Sequence, residues 1–361
     1  MNFSINNTFF SGQIDLSDKV EIKSYNKTYT VDYNNKTLTS LLEDNFHEND
    51  FIVIDRNVFN LDNSWFLNID LNSYFILDAI EDNKNMDTVL KIVDTLICKK
   101  INKNNKLIVI GGGITQDVGG FASAIYKRGL NWVLIPTTLL SISDSCIGGK
   151  VGVNRTSKNI LAMFCAPNKV IISSYFLSSL KQEDIISGIG EIVKLSLIGG
   201  ESCYMDFQEA FKEKDYIKMI KLATSVKKLI IEYDELEKDE RRVLNYGHTI
   251  GHALEAATNY YVPHGIAVLY GMLIKNILFY DEKYKELNDF ILEMIPAKFN
   301  NINVDYNVFI DNMLNDKKNQ GNKVCFILLK NIGETIFVFK ELAEINDKLN
   351  IIFDTLFNKP S

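Results

Sequence analysis

The chain has 361 residues, 46% hydrophobic and 24% charged, a globular balance with enough length for a large core divided over two domains. Its formal net charge of -7 excludes a general nucleic-acid binder, because a phosphate backbone demands a basic surface. No basic stretch followed by an apolar core opens the chain, and no uninterrupted apolar run reaches about 18 residues, so no membrane partner is expected. The five cysteines are scattered, odd in number and without a C-x-x-C pair, the pattern of reduced thiols in a cytoplasmic protein.

In chain order, VEIKSYNKTYTVDY (20–33) alternates apolar and polar residues around Asn26-Lys27 and predicts a hairpin. FIVID (51–55), YFILDAI (74–80) and KLIVIGGG (106–113) are short apolar runs ending in polar or glycine residues, the signature of buried parallel strands. Between the last two, MDTVLKIVDTLICKKI (86–101) has helical spacing. GGGITQDVGGFASAIYKRG (111–129) follows a strand and opens a helix, where a pyrophosphate rests on helix N–H groups. It is not the G-x-G-x-x-G fingerprint, because Gln116 stands where the last glycine is required.

WVLIP (132–136) and KVIIS (169–173) supply further strands. Between them, IPTTLLSISDSCIGGKVGVN (135–154) crowds hydroxyls, Asp144, a diglycine and Lys150 after a strand end, and Lys158-Asn159 follows. Polar groups this dense point to a site at the carboxyl edge of the sheet. Cys146, within that run, reads as a small apolar filler. From about residue 180 the periodicity turns helical, so an α/β nucleotide-type domain precedes a helical one, with the boundary near 175.

Of the chain's four histidines, three fall in LNYGHTIGHALEAATNYYVPHG (244–265). The spacing predicts a helix over 243–258, with Gly247 and Gly251 as its weak points, and His248 and His252 one turn apart on one face. An H-x-x-x-H pair suits a metal but equally suits two helix-face histidines bonded to carbonyls or water. His264 follows Pro263 in a turn that can return beside the helix. A third ligand must come from elsewhere, and Glu191 in SGIGEIVKLSLI (187–198) is the candidate, with Lys194 on the same face. A helical Glu/Lys pair is ordinarily only a solvated salt bridge.

Taken together, the stretches 111–159, 187–195 and 241–265 resemble the 3-dehydroquinate synthase superfamily of sugar-phosphate cyclases, over about residues 29–340. The resemblance implies a Rossmann-like parallel-sheet NAD-binding domain (29–175), an all-helical metal and substrate domain (176–361), and an amino-terminal extension (1–28). It assigns a divalent metal, zinc or cobalt, to Glu191, His248 and His264. The cofactor residues it implies are Asp55, Glu81 with Lys84, Gly112, Gly113, Asp117, Thr137, Thr138, Leu140, Asp144, Lys150, Lys158 and Ser174. Around substrate it places Arg128, Asp144, Lys150, Asn159, Lys194, Lys227, Arg241, Asn245, His252 and Lys317. Arg128 reaches a neighbouring subunit's site in that family, which implies a homodimer.

Six cations converging in an acidic protein suit a small substrate that carries both phosphate and carboxylate. Cyclases whose substrates lack a carboxylate tend to replace the cations that bind it, and this chain keeps Lys227, Arg241 and Lys317. The implied reaction converts 3-deoxy-D-arabino-heptulosonate 7-phosphate to 3-dehydroquinate and phosphate. It proceeds by transient NAD-dependent oxidation, phosphate elimination, re-reduction and intramolecular aldol cyclisation. A paralogous cyclase acting on another sugar phosphate and a metal-dependent polyol dehydrogenase are the alternatives.

Overall fold

A computed structural model of the protein describes residues 1–68, 73–300, 302–315 and 319–357. The chain forms two compact units. One comprises Asp15–Lys181 and Ile230–Leu236; the other comprises Met1–Ile14, Gln182–Leu229 and Glu237–Ser361. The expected 1–28 extension is therefore divided between them.

The chain opens on two four-residue strands, β1 (Asn2–Ile5) and β2 (Thr8–Ser11), which belong to the second unit. The sheet unit follows with β3 (Lys19–Lys23), β4 (Thr28–Asn34), α1 (Leu38–Asn45), β5 (Phe51–Asp55), α2 (Arg56–Leu61) and β6 (Tyr74–Leu77). Next come α3 (Met86–Cys98), β7 (Lys106–Gly111), α4 (Gly113–Ile125) and β8 (Asn131–Pro136). A small antiparallel pair, β9 (Lys150–Val153) and β10 (Leu161–Phe164), precedes β11 (Lys169–Ser173).

The seven-stranded sheet has the order β3-β4-β11-β8-β7-β5-β6. Every pairing in it is parallel except the β3–β4 hairpin, which turns where Ser24 N–H donates to Lys27 O at 2.8 Å, as the alternation around Asn26-Lys27 predicts. Parallel strands carry helices on their faces, so their side chains are buried on both sides: Phe51–Ile54 and Leu107–Ile110 are all 0% exposed. Neighbouring strands end in step, with Gly111 beside Pro136 and Asp55 beside Leu77. Asp55, Gly112, Thr137, Thr138 and Ser174 thus lie at or just past the carboxyl ends of adjacent strands, where an open α/β sheet binds its ligands.

The second unit contains α5 (Gln182–Ile198), α6 (Glu201–Glu213), most of α7 (Tyr216–Tyr233), α8 (His248–Ala257), α9 (His264–Tyr280), α10 (Lys285–Met294), α11 (Tyr306–Leu314) and α12 (Leu342–Phe357). It is helical as expected, yet it also holds a sheet that the sequence reading missed. β12 (Lys323–Asn331) and β13 (Glu334–Glu341) form a hairpin, and β1 and β2 extend it in the order β12-β13-β1-β2. The helix expected over 243–258 also begins later. Residues 240–245 form 3-10 turns, and Gly247, at φ 86°, sits ahead of α8 in a conformation that disfavours a side chain.

The helices around the histidines cross backbone to backbone. A Cβ on Gly265 would lie 1.7 Å from Ser187 O, and one on Gly271 would lie 1.9 Å from Gly247 O. Glycine at these positions lets α9 rest directly on α5 and on the start of α8, and this closeness fixes what their side chains can reach. Gly265 N–H donates to Ser187 Oγ at 3.0 Å across the first crossing.

Candidate active site

In the helical unit, α5, α8 and α9 bring Glu191, His248 and His264 together. Glu191 Oε1 lies 3.5 Å from His248 Nε2 and 3.3 Å from His264 Nε2. Glu191 is 0% and His248 8% exposed, while His264 is half-buried. His252 joins them from the exposed side: its ring centroid is 5.1 Å from that of His248 and 5.5 Å from that of His264. The three imidazoles each offer a ligand atom within 4.8 Å of the others, close enough to share one metal ion. A donor set of imidazole nitrogens and one carboxylate suits zinc or cobalt.

The orientation of two rings is set by their other nitrogens. His248 Nδ1 lies 3.2 Å from Tyr246 O, and His264 Nδ1 lies 2.9 Å from Glu255 Oε2. Both contacts leave Nε2 facing Glu191. Glu255, 5% exposed on α8, was not singled out in the sequence. Its signal was present, because it stands seven residues after His248 and so on the same helix face. Burial disfavours the His264 imidazolium, but the Glu255 charge and the bonds to Glu191 and Glu255 outweigh that and push its pKa up to about 10. A divalent cation bound here would compete for this negative charge with the imidazolium proton.

Lys194 pairs with Glu191, and both side chains are 1% exposed. This is not the solvated salt bridge that helical spacing alone suggests. Taking two charges out of water carries a desolvation cost that their attraction only partly offsets, which points to a chemical use. Lys227 and Arg241, 4% and 1% exposed, are also buried in this unit. Asn245 is half-buried, its amide donating to Glu237 Oε1 at 3.1 Å and to Arg242 O at 3.2 Å. Lys317 lies outside the described residues.

In the sheet unit the expected cofactor residues form two groups. In the first, Asp55 caps α2 by accepting from Asn57 N–H at 2.8 Å, Thr137 N–H donates to Gly111 O at 3.1 Å, and Thr138 packs on Gly112. A Cβ on Gly112 would come 2.9 Å from Thr138 Cγ2, whereas one on Gly113 would meet nothing within 4 Å. Open space at the start of α4 fits a pyrophosphate on its N–H groups. Burial raises the Asp55 pKa, which its bonds to Asn57 partly counter.

The second group surrounds Asp117 on α4. Asp117 is paired with Lys84 and accepts from Gly152 N–H at 3.2 Å; burial raises its pKa, and the Lys84 charge opposes that. Glu81 accepts from Asn154 Nδ2 at 2.8 Å and lies 3.9 Å from Lys158 Nζ, and Asn159 N–H donates to Asn154 Oδ1 at 2.8 Å. Asn154, another residue the sequence reading passed over, ties this group together.

Other expected residues sit on turns, apart from Lys150, which opens β9. Leu140 and Asp144 are half-buried at and within the π turn Ser141–Ser145, and Ser174 is half-buried after β11. Lys150, Lys158, Asn159 and Arg128 are exposed, and Asn159 and Arg128 take positive φ, 52° and 64°.

Residues 74–187 match the family described as 3-dehydroquinate synthase N-terminal, and residues 188–319 match 3-dehydroquinate synthase C-terminal. A 3-dehydroquinate synthase of Pelagibacter ubique is 36% identical over 347 residues, covering 88% of this chain and 94% of its own. Among solved structures, a 2-deoxy-scyllo-inosose synthase complexed with carbaglucose-6-phosphate, NAD+ and Co2+ is similar with a TM-score of 0.77 at 22% identity, over 92% of this chain and 99% of its own. A 2-epi-5-epi-valiolone synthase from Streptomyces hygroscopicus with NAD+ and Zn2+ bound has a TM-score of 0.76 at 22% identity, over 91% and 97%. At that identity the two structures establish the fold alone. The family matches and the Pelagibacter relative go further: this chain belongs to the 3-dehydroquinate synthase family.

Proposed function

We propose that the protein converts 3-deoxy-D-arabino-heptulosonate 7-phosphate to 3-dehydroquinate and phosphate, as a phosphate-eliminating lyase that depends on NAD and a divalent metal. The observation that carries this reading is the Glu191 carboxylate facing Nε2 of both His248 and His264, with the buried Lys194 ammonium against it. Family membership supports the substrate, and the relatives' bound NAD+ with Co2+ or Zn2+ supports the cofactors.

Glu191, His248 and His264 hold the cation, and Glu255 holds the His264 ring in its ligating orientation. The open space at Gly113 receives the NAD pyrophosphate, and Asp55, Thr137 and Thr138, at the carboxyl ends of β5 and β8, contact its sugars. When bound, NAD and the cation supply the hydride acceptor and the polarising charge for the transient oxidation. The chain's own groups do the rest. Lys150, Asn159 and Lys317 bind the phosphate, and Lys227 and Arg241 bind the carboxylate through charge-assisted bonds. Lys194, Asp144, Asn245 and His252 orient the hydroxyls and hold or move protons. Arg128, exposed on its strained turn, serves a neighbouring copy's site, so the working form is a homodimer. The free cysteines support a cytoplasmic setting.

The test is to supply the heptulosonate with NAD and zinc or cobalt and to follow phosphate, NADH and product mass together. Stoichiometric phosphate, no net NADH and the mass of 3-dehydroquinate are expected. Accumulating NADH without phosphate, on a simple polyol, would make the protein a dehydrogenase instead. Lys227→Ala and Arg241→Ala each lower kcat/KM by about 1.5–3 kcal/mol, the worth of a hydrogen bond to a charged group. Wild-type kinetics in both variants would remove the case for a substrate carboxylate.

A further inference from the structure

Residues 1–14 lie outside the matched stretch 74–319 and take no part in the mechanism above. They are nevertheless firmly built. β1 and β2 pair from Asn2 with Ser11 to Ile5 with Thr8, and β1 runs parallel to β13 with Ile5 beside Thr335. Phe3, Ile5 and Phe10 are 2%, 0% and 7% exposed. The Met1 ammonium donates to Gly12 O at 2.9 Å and closes the open end of the hairpin.

This hairpin touches two segments that each carry an expected substrate cation, and it reaches a third, α5, through Gly333. At its open end, a Cβ on Gly12 would lie 2.7 Å from Leu229 Cδ1, and Leu229 follows Lys227 by two residues on α7. Along β1, Ser4 N–H donates to Gly333 O at 2.7 Å, and Gly333 N–H donates in turn to Leu197 O at 2.9 Å, three residues past Lys194 on α5. Gly200, at φ 97°, has no room for a side chain, since a Cβ would lie 2.4 Å from Asn2 O. At the turn, Thr8 Oγ1 donates to Glu240 Oε1 at 2.8 Å, immediately before Arg241.

The third contact carries the most weight. Arg241 is buried within a short run of 3-10 turns, Glu240–Asn245, whose backbone geometry is weaker than that of an α-helix. A run of this kind holds its position through outside contacts. Two of them flank Arg241: Thr8 on Glu240, and the ring of Phe337 on β13, with Arg242 Cζ 5.6 Å from its centroid.

We propose that the amino-terminal hairpin is a brace for the substrate's carboxylate anchor, with Thr8 as a positioning residue that acts through Glu240 on Arg241. The proposal rests on the reading of Arg241 as that anchor. Two variants test it: Thr8→Val removes the hydroxyl at nearly constant volume, and Thr8→Ser keeps it. Thr8→Val is expected to raise KM for the heptulosonate phosphate about fivefold with kcat within about twofold, the scale of one lost hydrogen bond. It should also speed amide exchange over residues 240–246, while Thr8→Ser matches wild type and cobalt titration is the same in all three proteins. Wild-type KM and exchange in Thr8→Val would overturn the brace. A Thr8→Val protein that loses melting temperature and kcat at unchanged KM would overturn it too, because the hairpin would then be only structural. If wild type releases no phosphate from this substrate, the reading of the function fails, and the exchange comparison still decides whether the hairpin holds the Arg241 segment.

Discussion

The two units hold their functional candidates in opposite ways. In the helical unit, Glu191, Lys194, Lys227, Arg241 and His248 are all 8% exposed or less, and the helices carrying Glu191, Lys194 and His248 are locked by backbone contact with α9. In the sheet unit, Lys150, Lys158, Asn159 and Arg128 are exposed, Lys150 at the start of β9 and the other three on turns, two of them with left-handed backbone. Buried charges must be placed by the fold before any ligand arrives, since nothing else offsets their desolvation. Exposed ones are solvated already and can adjust to what binds. The difference teaches where a substitution will be felt: as lost chemistry and lost stability in the helices, and as lost ligand affinity alone in the loops.

The largest effect expected from this contrast is at the shared carboxylate. Glu191→Ala should lower kcat at least about a thousandfold and abolish tight cobalt binding, because it removes the proposed metal ligand and leaves Lys194 without that partner. Retained turnover in chelator would break the comparison. Next comes Gly265→Ala, whose new Cβ would overlap Ser187 O; a loss of about 3 kcal/mol in denaturant unfolding is expected. Wild-type stability would mean that the α5–α9 crossing is looser than described. Glu255→Gln should weaken cobalt binding about 10- to 100-fold while the fold survives, because an amide holds the His264 ring less firmly than a carboxylate does. The smallest change belongs to the loops. Lys158→Ala should alter unfolding by no more than about 0.5 kcal/mol, since its 3.9 Å pairing with Glu81 is solvent-exposed, yet it should weaken NAD binding. A large stability loss there would erase the distinction between the units.

How much of this was legible in the chain follows from range. The parallel strands at 51–55, 106–111, 131–136 and 169–173 announce themselves because burial on both faces makes each an unbroken apolar run. The short β1 and β2 do not, because NFSI and TFFS have little stability of their own and gain it from β13, more than 300 residues away. VCFILL within β12 is apolar without a period that separates strand from helix, and it was absorbed into an expected helical domain. The histidine cluster was visible as a local density of imidazoles. Glu255 stood in the same window unremarked, because its partner, His264, begins a separate helix that must fold back to meet it.

By itself, then, the sequence determined the sheet, the helical character of the second half and the residue types gathered for chemistry, because each is written in neighbouring residues through periodicity and composition. Only the tertiary structure decided which nitrogens and oxygens face one another, that the Glu191–Lys194 pair is buried, and that the first fourteen residues close against the helical unit. Those outcomes depend on how near two backbones can pass, and glycines at Gly190, Gly200, Gly265 and Gly271 set that distance only once their partner segments are in place.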